Sequence, residues 1–100
     1  NSYHFIRINT IIKIEAADDY SEVYLTSGES FIVLKSMKIW EQRLPSNTFT
    51  RVHRSTIVNL DQVERVEPWF NNRHKVYLKM LSEPVIMSRR FFTDIRKRLG

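Results

Sequence analysis

Phe49-Thr50-Arg51-Val52-His53-Arg54-Ser55-Thr56-Ile57-Val58-Asn59-Leu60 is extended where it begins and tight where it ends. Thr50–His53 reads as a strand, and from Val58 a tight segment leads into a strand predicted at Val63–Pro68. Side chains alternate along extended chain, so His53 and Arg54 point to opposite faces and one of them turns inward. His53 suits the inward place, hydrogen-bonded under the loop, which leaves Arg54 outside. Ser55 and Asn59 can tie such a loop together through side-chain to backbone bonds.

Outward from this stretch the pattern stays strand-like. Upstream, Phe5–Ile8 reads as a short strand and Ile11–Ala17 as a longer one, with Ile12, Ile14 and Ala16 on one face. Glu22–Thr26 and Ser30–Leu34 follow, joined at Ser27-Gly28-Glu29, where glycine accepts a positive φ at no steric cost. The period then lengthens. Met37, Trp40 and Leu44 recur at helical spacing, Ser36 is placed to cap the helix, and Pro45 ends it. Downstream, Asn71-Asn72-Arg73 is a turn, and Lys75–Leu78 and Pro84–Met87 are the last strands. Phe91, Phe92, Ile95 and Leu99 line one side of a closing helix capped by Ser88, with Arg96, Lys97 and Arg98 at its C-terminal end. Trp40, Phe31, Phe91 and Phe92 fall at inward positions. Trp69-Phe70 is either packed against a strand edge or an exposed patch for a second copy or another domain.

One hundred residues suit one domain, 1–100. No apolar run approaches the roughly 20 residues of a membrane span, and Asn1–Arg7 lacks the basic-then-apolar order of a signal peptide. With no cysteine, disulfides and thiolate metal sites are excluded, which fits the cytoplasm. The net charge of +5 is unevenly spread. Residues 1–50 carry five Lys/Arg against six Asp/Glu, and residues 51–100 carry eleven against five. A polyanionic partner is therefore expected to meet the second half.

The Phe49–Leu60 stretch strongly resembles the central signature of LytTR-type DNA-binding domains, F-x-R-x-H-R-S-x-I-V-N. Pro84-Val85-Ile86-Met87-Ser88-Arg89-Arg90-Phe91 resembles the family's closing P-V-S-R-R stretch, with Ile86 and Met87 lying between the valine and the serine. Ile14-Glu15-Ala16-Ala17-Asp18-Asp19-Tyr20 is similar to its I-E-A-x-x-x-Y strand and loop, and Leu34-Lys35 and Leu44-Pro45 also fit. The resemblance runs from about Ile11 to Leu99. It implies a mainly β, elongated fold of about ten strands in small antiparallel sheets, with two short helices. It further implies loops that enter successive major grooves of double-stranded DNA, a receiver domain N-terminal to this one in a longer bacterial response regulator, and a second copy on direct repeats. The start at Asn1 fits such a C-terminal domain.

The resemblance places DNA contacts in three loops. Arg89 is the expected base reader, because a guanidinium donates two parallel bonds to guanine O6 and N7 in the major groove; the competing role is a surface bridge to Asp94 or Glu83. Arg90 is then a phosphate contact. Arg54 binds a phosphate or probes the minor groove, unless it is buried against Asp61 or Glu64. Ser55 adds a phosphate contact. In the first loop Asp18 and Asp19 repel phosphate, so Ser21 or Tyr20 is the better contact, and Asp19 serves only by accepting from a cytosine amino group. Lys35 is either a phosphate clamp or a solvated cation, and Arg73 and Lys75 are phosphate contacts or plain surface charge.

Enzymatic chemistry finds no footing. Glu15, Asp18, Asp19 and Glu22 are the only acidic cluster that suggests Mg²⁺, and they lack a nearby general base; His4, His53 and His74 are scattered. No metal or cofactor is expected. The remaining alternatives are an RNA or single-strand binder, which needs aromatics exposed on a sheet beside basic residues, and a protein-interaction module.

Overall fold

The computed structural model describes residues 5–99, with side chains through residue 97. The expected helix positions Arg98 and Leu99 lie outside the described side chains, and His4 outside the described residues. Eight strands and two helices are present among the described residues: β1 (Ile11–Ala17), β2 (Tyr20–Leu25), β3 (Ser30–Val33), α1 (Met37–Arg43), β4 (Phe49–His53), β5 (Thr56–Asn59), β6 (Val63–Pro68), β7 (His74–Leu78), β8 (Val85–Met87) and α2 (Arg89–Leu99). Every pairing is antiparallel, in a five-stranded sheet ordered β3-β2-β1-β5-β4 and a three-stranded sheet ordered β6-β7-β8. The shape is elongated, 46 × 25 × 24 Å.

Local chemistry sets the joints. Gly28 turns β2 into β3 at φ +92. Ser36 accepts the Ile39 N–H to start α1, and the helix stops at Arg43, ahead of Pro45. Ser88 accepts from the Phe91 N–H at the start of α2. Two expectations change. Phe5–Ile8 forms no strand; Ile8–Thr10 is instead a 3-10 turn. Thr56–Asn59 is a strand in its own right, fully buried, where the sequence pattern suggests only a tight segment. Its burial comes from lying between β1 and β4 in the sheet centre.

The five-stranded sheet feeds two cores. In a regular strand alternate residues share a face, and an extra residue reverses that phase. β1 carries such an irregularity between Ile11 and Lys13, and β4 between Arg51 and His53. Ile11 and Ile14 therefore join Val23, Phe49 and Ile57 under the Met37, Trp40 and Leu44 side chains. Ile12 and Val52, the bulged residues, go to the opposite face with Val58, against Val76, Leu78, Val85, Met87 and Ile95. The expected grouping of Ile12, Ile14 and Ala16 is thus split, and Ala16 is exposed. In β5 and β4 ordinary alternation is enough to fill both cores, with Ile57 and Phe49 toward α1 and Val58 and Val52 toward the small sheet and α2.

Candidate nucleic-acid interface

Strand direction gathers several loops at one end of the large sheet. β1 ends and β2 begins there, since Ala17 pairs with Tyr20. β4 ends and β5 begins there, since His53 pairs with Thr56 and Thr56 with Glu15 of β1. β3 ends there too, with Val33 opposite Ser21. Two backbone bonds lock the array together. Ala16 N–H donates to the Ser55 carbonyl at 2.8 Å, and Ser88 N–H donates to the Val52 carbonyl at 2.9 Å. Arg54 lies two residues beyond Val52 and Arg89 one residue beyond Ser88, so the two arginines share this end of the molecule.

Both arginines are exposed. Among the described residues the ion pairs are Lys13–Glu15, Arg51–Glu41, Arg65–Glu64 and Arg65–Glu67. The alternative bridges of Arg54 to Asp61 or Glu64, and of Arg89 to Asp94 or Glu83, are therefore not formed. Arg89 and Arg90 also occupy the first turn of α2, which holds no acidic residue. Cations there oppose the helix dipole, at a cost of about 0.3–1 kcal/mol each. An anion at this end would reverse that cost. The Arg90 guanidinium rests 5.3 Å from the Phe91 ring.

The Arg54 turn is braced from within. His53 is half-buried, and its Nδ1 accepts the Ser55 N–H at 3.3 Å and lies 2.9 Å from the Ser55 hydroxyl. An accepting Nδ1 puts the neutral ring's proton on Nε2. The Ser55 hydroxyl is thus shared with His53. Arg51, which the sequence pattern does not single out, is the main brace. Its Nε donates to the His53 carbonyl at 3.1 Å, one terminal nitrogen donates to the Arg54 carbonyl, and the other pairs with Glu41 of α1. One guanidinium therefore satisfies two carbonyls of the turn and links it to a helix. Arg51 shares the α1-side face of β4 with Phe49 by ordinary alternation, and no local spacing rule reveals its partners.

Two expected site residues are corrected. Ser21 is fully buried. Its hydroxyl accepts from Trp40 Nε1 at 2.6 Å and sits 3.4 Å from the Val33 carbonyl. The strand phase sends Ser21 into the core with Val23, so it cannot reach a duplex; the exposed residues of this turn are Asp18, Asp19 and Tyr20. Asn59 is also buried, donating to the Ile11 carbonyl and accepting from the Asp61 N–H, each at 2.9 Å. It pairs with Phe49, at the far end of the β4–β5 hairpin, so it ties the scaffold rather than the Arg54 turn.

Lys35 is half-buried with its ammonium 5.1 Å from the Trp40 ring, so it keeps an aromatic partner at the same sheet end. Two of the acidic residues are occupied: Glu15 pairs with Lys13, and Glu22 accepts from Tyr24 at 2.9 Å and Ser30 at 2.8 Å. Burial, with the Glu22 bond and the Glu15 and Glu22 charges behind it, pushes the Tyr24 phenol up to about 12. No group of three His, Asp or Glu side chains among the described residues could hold a metal ion, and none of the described helices is long and apolar enough to cross a membrane.

The chain is similar to known proteins in sequence and in fold. The chain is 37% identical over 90 residues to the transcriptional regulatory protein YpdB of Escherichia coli K12, covering 90% of this chain and 36% of YpdB. It is 31% identical over 94 residues to the sensory transduction protein LytT of Bacillus anthracis, covering 94% of this chain and 37% of LytT. It thus spans a little over a third of these relatives. The solved LytTr DNA-binding domain of a methyl-accepting/DNA response regulator from Bacillus cereus superposes with a TM-score of 0.87 at 25% identity, covering 95% of this chain and 85% of that one. The LytTr DNA-binding domain family matches residues 1–100, and the chain belongs to that family.

Proposed function

We propose that this domain binds double-stranded DNA sequence-specifically and thereby regulates transcription, with Arg89 as the base reader. The observation that carries the reading is the pair of exposed arginines without carboxylate partners, Arg54 and Arg89, tethered at one end of a rigid sheet through the Val52–Ser88 bond. Arg89 donates a bidentate pair to guanine in a major groove. Arg90 and the Ser55 side of the turn meet phosphates, with Lys35 a further phosphate clamp if it leaves Trp40. Along the large sheet the Tyr20 turn of β1–β2 comes before the Arg54 turn of β4–β5, and the bond from Ser88 to Val52 of the edge strand β4 puts Arg89 after both. A duplex lying on this line takes the outer two in successive major grooves and Arg54 at the minor groove between them. The domain acts in the cytoplasm as the output part of a longer response regulator, with a receiver domain before it and a second copy on a direct repeat. No reaction is assigned to it.

A single-strand or RNA platform is less well supported: Tyr24, on the outer sheet face, already lies 4.5 Å under the Lys13 ammonium. The test uses a duplex selected from a random library, a scrambled duplex of equal length, and RNA of the selected sequence. Arg89→Ala weakens the selected duplex by about 1–3 kcal/mol and leaves the scrambled one nearly unchanged. Equal losses on both would make Arg89 a phosphate clamp, and preference of the wild type for RNA would overturn the reading.

A further inference from the structure

The β6–β7 hairpin ends in residues 69–73, which the proposed contacts leave unused. His74 pairs with both Pro68 and Met87, so continuing the β7–β8 register by one step sets Arg73 opposite Ser88. The hairpin tip therefore stands beside Arg89. His74 fixes the two together by stacking on Phe92 of α2, with ring centroids 3.6 Å apart and planes 9° from parallel.

The tip is built around a cation. Trp69 N–H donates to the Arg73 carbonyl at 2.8 Å and closes the turn, while Asn71 and Asn72 both take φ 58, a left-handed conformation that asparagine tolerates better than most side chains. The Trp69 and Phe70 rings meet edge to face at 4.3 Å. The Arg73 guanidinium lies 4.8 Å from each ring, and the Lys75 ammonium 5.2 Å from Trp69. Residues 68–79 contain no acid. Glu67, opposite Lys75 across the sheet, is bonded to Arg65. Phe70 stays 56% exposed. An arginine resting against a pair of rings has less rotamer entropy left to lose on binding, which suits a phosphate oxygen.

We infer that this hairpin tip is an additional contact on the same duplex, with Arg73 pairing a backbone phosphate beside the groove that Arg89 enters and Phe70 covering the adjoining sugar. The inference rests on the DNA-binding reading above. Charge and position select the partner: an apolar ring would suit a protein surface equally, but the cation without a carboxylate partner lies next to Arg89.

Affinity is measured by fluorescence anisotropy across a salt series, on the selected and the scrambled duplex. One phosphate contact contributes about 0.9 to the slope of log K against log salt, or about five-fold in affinity near 0.15 M. Arg73→Ala is expected to weaken both duplexes about five-fold there and to flatten the slope by about 0.9. Arg73→Gln, which retains length for packing on the rings, gives the same losses even if the alanine variant folds poorly. Arg73→Lys retains the slope. Should the glutamine variant keep wild-type affinity and slope on both duplexes while Arg89→Ala still loses discrimination, the hairpin contact is wrong and the DNA reading stands. A wild type with no salt-dependent affinity for duplex overturns both.

Discussion

Ser21→Ala separates a structural hydroxyl from a DNA contact. In the folded protein the Trp40 indole N–H has the Ser21 oxygen 2.6 Å away, inside a core where Ser21 is 0% and Trp40 9% exposed. Alanine removes that acceptor without making room for water, so the indole keeps its desolvation and loses its partner. The cost of such an orphaned donor is about 1–3 kcal/mol. The second contact, at 3.4 Å to the Val33 carbonyl, is too long to add much. For a domain of this size each kcal/mol lowers Tm by about 4–8 °C. Thermal and urea melts read the stability, and anisotropy at a temperature where both proteins are folded reads the affinity. The variant should melt earlier while binding the selected duplex as the wild type does. A variant that keeps its stability to within about 0.5 kcal/mol, the usual range for surface changes, yet loses specific affinity would refute the buried placement of Ser21.

Arg51→Met should cost about 1–3 kcal/mol, because two turn carbonyls and Glu41 lose a charged donor; hydrogen exchange at the Ser55 amide should quicken, and an unchanged exchange rate would show that the turn holds without its brace. Arg51→Lys should not restore it, since an ammonium cannot reproduce the planar fork. Tyr24 titrates near 12 instead of 10, so its contribution to stability is full below about 10 and is lost as pH rises through 12. Absorbance titration should therefore show one tyrosine ionising late, and Glu22→Gln should bring it down; a Tyr24 ionising near 10 in the wild type would contradict the geometry.

The elements with strong local chemistry were legible before any coordinates: the Ser36 and Ser88 caps, the Pro45 stop and the Gly28 turn each follow from one side chain. The basic loops were legible through the resemblance, which carried the residues at both Arg54 and Arg89. What escaped depends on partners distant in sequence. β5 is a strand because β1 and β4 flank it, and the irregularity at Ile12 leaves no mark in the local sequence. The β1 bulge reverses side-chain phase, which is why Ile12 and Ile14 part company to different cores. Arg51 faces α1 with Phe49 by plain alternation, but no local spacing shows its partners in the turn and at Glu41. Ser21 was misplaced for a related reason: a small polar residue beside a loop looks exposed until Trp40, nineteen positions away, claims its hydroxyl.

Photo-cross-linking from positions 54 and 89 to the selected duplex tests most directly whether both arginine loops meet one DNA. Probes at the two positions should each attach to nucleotides on one side of the helix, within about one turn of 10 base pairs. Attachment on opposite sides of the duplex, or from only one of the two positions, would contradict a shared binding edge.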